Sequence, residues 1–83
     1  MKRKESMMTE REISEFAIEY NVEIKLLFDN LGNMTIYMRR GDYKYRHMIN
    51  RDDVIDNNLL YDVLKNGVSE INKMEERKLG PFL

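Results

Sequence analysis

Residues 34–49 hold two runs of alternating side chains joined by Gly41-Asp42 alone. Glycine takes a positive φ without a Cβ clash, so this dipeptide between alternating runs predicts a two-residue β-hairpin turn. That turn sets the register. Arg40 faces Tyr43, Arg39 faces Lys44, Met38 faces Tyr45, Tyr37 faces Arg46, Ile36 faces His47, and Thr35 faces Met48. Side chains alternate across a strand, so the hairpin has two unlike faces. Met34, Ile36, Met38, Tyr45, His47 and Ile49 form the expected core face. Thr35, Tyr37, Arg39, Lys44, Arg46 and Met48 form a basic and aromatic outer face.

A third strand is expected over Val22–Asp29, with Val22, Ile24, Leu26 and Phe28 inward and Glu23, Lys25, Leu27 and Asp29 outward. Asn30-Leu31-Gly32 suits a three-residue hairpin loop with Gly32 in the left-handed position. This closure sets Phe28 opposite Met34, Leu26 opposite Ile36 and Ile24 opposite Met38. Outside, Glu23 meets Arg39 and Lys25 meets Tyr37, and the opposite-charge pair supports the register. A slip by one residue would turn the apolar set of this strand to solvent. Arg39 opposite Lys44 is a like-charge pair that costs some stability, and Glu23 in the same row offsets it.

Helices are expected on either side of this meander. Thr9-Glu10-Arg11-Glu12 is a capping box, in which the Thr9 hydroxyl and the Glu12 carboxylate each accept from the other residue's backbone N–H. Ile13, Phe16, Ala17 and Tyr20 follow as an apolar stripe, and Asn21 is a stop. After the sheet, Asn50 or Asp52 caps a short turn anchored by Val54 and Ile55, and Asn57 or Asn58 restarts the helix. Leu60, Val63, Leu64, Gly67, Val68, Ile71 and Met74 then form a stripe over about four turns. Gly67 in that stripe costs about 1 kcal/mol against Ala and is read as a close contact or a bend. Arg77-Lys78 suits the C-terminal end of the dipole, and Gly80-Pro81 ends the helix. The predicted fold class is α+β: an α-β-β-β-α order with a three-stranded antiparallel meander and both helices packed on one face. The last helix is allowed a break near Asp56–Asn58.

At 83 residues the chain makes a single domain with a small core. Residues 1–8 are expected as a frayed arm, with Lys2-Arg3-Lys4 as an alternative contact for an acidic partner. Residues 79–83 are expected as a tail. No run reaches membrane-spanning length, and the basic start is followed by no apolar segment of the secretory kind. The absence of cysteine excludes disulfides and thiolate chemistry and suits a cytoplasmic protein. A formal net charge of −1 conceals a polarised chain. Residues 39–51 carry Arg39, Arg40, Lys44, Arg46 and Arg51 against Asp42. Residues 52–76 carry Asp52, Asp53, Asp56, Asp62, Glu70, Glu75 and Glu76 against Lys65 and Lys73.

Chemistry-bearing constellations are few. His47, the sole histidine, falls on the core side of an edge strand beside Ile36, where a partly buried, hydrogen-bonded structural role is expected over a general base. Asp52, Asp53 and Asp56, with Asn57 and Asn58, match no cation-loop spacing and are read as ordinary acidic residues at a helix start. Gly32 and Gly41 belong to turns and lead into no helix, so neither marks a phosphate loop. No enzyme, cofactor or metal is expected.

The candidate binding set is Tyr37, Arg39, Arg40, Tyr43, Lys44 and Arg46, with Tyr45 beside them. Arginine grips carboxylate or phosphate in bidentate fashion, and tyrosine offers a flat, rigid contact. The leading expectation is a non-enzymatic protein docking on a protein partner. Nucleic acid bound through the same face is one alternative. A plain solvated sheet face is another, and exposed Leu27 and Met48 keep a structural homodimer open as a third. No membrane partner is expected.

The α-β-β-β-α order resembles the double-stranded-RNA-binding domain. That family grips phosphates with a Lys-Lys-x-Ala-Lys cluster at the start of its last helix. Asp52-Asp53-Val54-Ile55-Asp56-Asn57-Asn58 stands there instead and is acidic, so the likeness extends to topology and not to function. Ile13-Ser14-Glu15-Phe16-Ala17 and Arg40-Gly41-Asp42-Tyr43 resemble segments of small accessory proteins of phages and prophages of low-GC bacteria, over residues 9–76. That resemblance implies binding to a host factor, and some such proteins block host defence nucleases such as CRISPR effectors.

Overall fold

The structure, a computed structural model, describes residues 8–54 and 57–79, with the side chains of residues 57, 58, 78 and 79 set aside. Lys2-Arg3-Lys4, Ile55, Asp56, Gly80-Pro81 and Phe82-Leu83 lie outside the described residues. Helix α1 (Glu10–Tyr20) precedes strands β1 (Glu23–Phe28), β2 (Met34–Arg40) and β3 (Tyr43–Ile49). A 3-10 turn over Arg51–Asp53 follows, and helix α2 spans Asn57–Leu79. The sheet is antiparallel in the order β1-β2-β3.

The register matches the alternation of the sequence at every pair, from Glu23 opposite Arg39 to Phe28 opposite Met34, and from Arg40 opposite Tyr43 to Met34 opposite Ile49. Both turns explain why. Gly41 has φ +60 and Asp42 does not share the positive φ, the pattern of a type II′ hairpin. Gly32 has φ +88 and closes a three-residue loop between Asp29 and Asn33, whose backbones pair at 3.0 Å. The Asp29 carboxylate fastens that loop by accepting from the N–H groups of Leu31 and Asn33, each at 2.9 Å. These hydrogen bonds, Leu31's foremost, hold the Asp29 carboxyl below its ordinary pKa. Asn33 in turn accepts from the Arg51 N–H at 2.9 Å, which ties the loop to the segment after β3.

The capping box of α1 is complete. The Glu12 N–H donates to Thr9 Oγ1 at 3.1 Å, and the Thr9 N–H donates to Glu12 Oε1 at 2.8 Å. Met8 and Ile13 occupy the two positions of a hydrophobic staple, and both pack against the core. Met8 therefore belongs to the domain and not to a frayed arm. Asn21 ends α1 in the left-handed region at φ 55, and the Val22 N–H returns to the Ala17 carbonyl at 3.0 Å. That bond uses Val22 for the helix cap, so β1 starts at Glu23, one residue later than the alternation alone suggests.

Phe16, Val22, Met34, Ile36, Met38, Ile49, Leu60, Val63, Leu64, Val68 and Ile71 form the buried core between helices and sheet. Gly67 marks a close approach of α2 to the sheet. A Cβ added there would overlap Met38 Sδ and lie 2.8 Å from Tyr45 Cδ2. Gly67 is thus a packing contact and not a bend. The two helices meet along an aromatic seam. Phe16 packs against Tyr20 with the rings tilted by 41° and their centroids 4.5 Å apart, and meets the edge of Tyr61 at 6.0 Å. Lys65 donates to Tyr20 Oη at 2.9 Å and sits over the Tyr20 ring.

Candidate functional site

The outer sheet face is built by register alone. Each position along β2 is flanked by one residue from each edge strand, giving three rows. The first is Glu23–Arg39–Lys44, the second Lys25–Tyr37–Arg46, and the third Leu27–Thr35–Met48. Neither helix covers them, since both lie on the opposite face with the core. Four cations stand against one carboxylate. The Glu23–Arg39 pair closes at 2.7 Å, so Arg39 is partly neutralised. Lys25, Lys44 and Arg46 have no hydrogen bond or ion pair among the described residues. Such free cations attract an opposite charge without first breaking an internal pair.

Rows one and two, with Leu27 of the third, line a shallow depression of about 520 Å³. Tyr37 and Arg39 come from the central strand, Lys25 and Leu27 from one edge, and Lys44 and Arg46 from the other. Tyr37 is 37% exposed in its midst. The third row differs in kind. Leu27 is 51% exposed and Met48 58%, flanking the short Thr35. The face is thus cationic at one end and apolar at the other.

Of the six residues singled out in the sequence, Tyr37, Arg39, Lys44 and Arg46 share this face. Arg40 and Tyr43 do not, because their positions along the strands put them on the helix side. Tyr43 packs against the core. Arg40 is a fastener: its guanidinium donates to Asn21 O at 3.0 Å, Asn72 Oδ1 at 2.7 Å and Glu75 Oε1 at 2.9 Å, and also to Tyr20 O. Helix α1 has no basic residue in its last turn, so Arg40 supplies from β2 the positive charge that its C-terminal carbonyls favour. Tyr45, likewise on the helix side, accepts from Asn66 Nδ2 at 3.0 Å. Lys25 is the member that a set drawn from the hairpin alone omits. The alternation that sets it opposite Tyr37 is the signal that finds it.

His47 departs from expectation. It is exposed and makes no hydrogen bond among the described residues, though its ring lies parallel to Tyr45 at 6.4 Å. Helix α2 is seated over Met38 and Tyr45 through Gly67, and His47, further along β3, is exposed. Among the described residues no carboxylate pairs with it as an orienting partner. Asp52 and Asp53 sit in the 3-10 turn and are exposed. Among the described residues no group of three or more His, Cys, Asp or Glu side chains is placed to hold a metal ion. Among the described residues no helix is long and apolar enough to cross a membrane. In comparisons with known proteins, no family model, no curated protein and no solved structure matches this chain.

Proposed function

We propose that this protein is a non-enzymatic binding module of the cytoplasm that docks on an acidic surface of another protein through the outer face of its sheet. One observation carries the reading: Lys25, Lys44 and Arg46 surround Tyr37 on the sheet face away from both helices, and none of the three has a partner among the described residues. Tyrosine and arginine give rigid and bidentate contacts that serve as interface anchors. The same row supports nucleic acid as a second reading, since a ring between two cations suits a base stacked between phosphates. The resemblance to small phage accessory proteins agrees with a host protein as the target.

Two measurements test the reading. Affinity capture with the full chain and with Lys44→Glu/Arg46→Glu is expected to lose its protein partner in the variant. An unchanged captured set removes this face from consideration. Electrophoretic titration of generic DNA and RNA at low and moderate salt separates the second reading. Strong binding that weakens steeply with salt favours nucleic acid.

A further inference from the structure

The unlike ends of the outer face specify more than charge. Resting on the docking reading above, we infer that the occupant is an acidic amphipathic segment of a protein, with carboxylates over Lys25, Lys44 and Arg46 and an apolar side chain seated between Leu27 and Met48. The register sets these two chemistries next to each other. Successive rows are two residues apart along each strand, about 6.7 Å. The cationic row Lys25–Tyr37–Arg46 therefore lies one step from Leu27–Thr35–Met48. Thr35 is the shortest side chain of its row and stands between two half-exposed apolar ones, leaving a notch the width of one strand.

A phosphate backbone has no use for that apolar row, whereas an acidic segment with a leucine-like side chain satisfies both ends at once. A second copy of the chain laid face to face is disfavoured by charge, because it would bring Lys25, Lys44 and Arg46 against their own kind. The α2 stripe of a second copy is already spent on the core, and α1 offers beside its carboxylates a single exposed large apolar side chain, Ile18, and no ridge.

The experiment follows backbone amide NMR shifts of the full chain against three probes. The first is a peptide of about 12 residues, roughly 18 Å as a helix, made of Glu and Leu with the leucines on one face. The second replaces each Leu by Ser. The third is an oligothymidine of matching length. The expected result is shifts centred on residues 23–27, 35–39 and 44–48, with the Glu/Leu peptide bound about tenfold tighter than the Glu/Ser peptide, as burial of one more apolar side chain implies. Leu27→Ser/Met48→Ser is expected to remove that difference between the two peptides. Lys44→Glu/Arg46→Glu is expected to abolish both. Equal affinity for the two peptides overturns the inference and leaves the charge-based docking reading standing. Tighter binding of oligothymidine overturns both in favour of nucleic acid. No shift on the outer face with any probe removes both. Dimers seen by light scattering with these same residues protected assign the face to a second copy and overturn the inference.

Discussion

Arg40 and Glu75 meet at 2.9 Å across the helix side of the sheet, and through that contact the last residue of β2 joins the ends of both helices. The guanidinium also reaches Asn72 on α2 and two backbone carbonyls at the end of α1. One side chain thus links three elements that are distant in sequence. Its neighbour Arg39 points the other way and makes a solvent-exposed pair with Glu23. Arg40→Ala is expected to destabilise the fold by about 2 kcal/mol, the range for hydrogen bonds that involve a charged group. Arg39→Ala is expected to cost less than about 1 kcal/mol. Urea unfolding of the two variants side by side checks the contrast, and equal losses would refute the assignment of Arg40 as the fastener.

That pair of arginines also shows what was legible in the sequence. The turn glycines and the period of two were enough for the whole register, because a single slip would have exposed Ile24, Leu26 and their row partners. The same alternation places Arg40 on the helix side. Grouping it with Arg39 by charge obscured its role, since composition carries no direction and strand parity does. His47 is exposed for another reason. Its position on the core side was correct, but burial needs a covering element, and α2 settles where Gly67 lets it touch Met38 and Tyr45. Gly67 marks that a close contact occurs, but which residues it meets depends on packing in three dimensions. The ties made by Arg40 to Asn72 and Glu75 are equally out of reach of spacing arguments.

Gly67→Ala is expected to destabilise despite the higher helix propensity of alanine. Propensity alone favours the change by about 1 kcal/mol. The new methyl, however, would overlap the buried Met38 side chain and crowd the Tyr45 ring at 2.8 Å. Overpacking of that kind costs about 1–3 kcal/mol, so crowding equals or exceeds the gain. Thermal unfolding should show a lowered midpoint, and Gly67→Val a lower one still. A raised midpoint for the alanine variant would mean that α2 does not sit this close to the sheet.

Asp29 makes the β1–β2 loop sensitive to acid. Its carboxyl has a folded-state pKa below the unfolded value because backbone N–H groups, Leu31's first, favour the ionised form. A depressed carboxyl contributes stability that is present above the unfolded pKa of about 3.9 and is lost as pH falls through the folded value. Asp29→Asn keeps an acceptor without a titrating group. Denaturation midpoints from pH 7 downward should therefore fall more steeply for the native protein than for the variant once the pH drops below about 4. Parallel curves would remove Asp29 as a source of acid sensitivity.

Lys65 sets the opposite limit. The hydrogen bond to Tyr20 Oη, with the nearby Tyr20 and Tyr61 side chains adding to it, raises its pKa above the ordinary value. A raised lysine contributes stability that is full below the unfolded pKa and is lost as pH rises through the folded one. Lys65→Met retains the apolar stem against the rings of Tyr20 and Tyr61 but removes the charge. The variant is expected to show a weaker loss of stability above about pH 10, read from the chemical denaturation midpoint. Tyr20→Phe removes the accepting oxygen that raises the Lys65 pKa and should likewise weaken the alkaline loss of stability.

Lys44→Glu separates stability from binding. In the native sheet Lys44 stands opposite Arg39, a like-charge cross-strand pair, while Glu23 engages Arg39 from the other side. A glutamate at position 44 would convert the unfavourable pair into a favourable one, a change of about 0.2–1 kcal/mol for directly opposed residues. The variant is thus expected to unfold at a slightly higher urea concentration than the native chain, and more clearly so at low salt, where screening is weak. It is also expected to lose affinity for an acidic peptide, because it puts a carboxylate beside Arg46 and lowers the cationic charge of the face. A sheet that carries Lys44 at the expense of its own stability is what a docking surface selected for charge would look like. If the variant binds as well as the native chain while gaining stability, Lys44 has no part in recognition, and the contact region shrinks to Lys25, Tyr37 and Arg46.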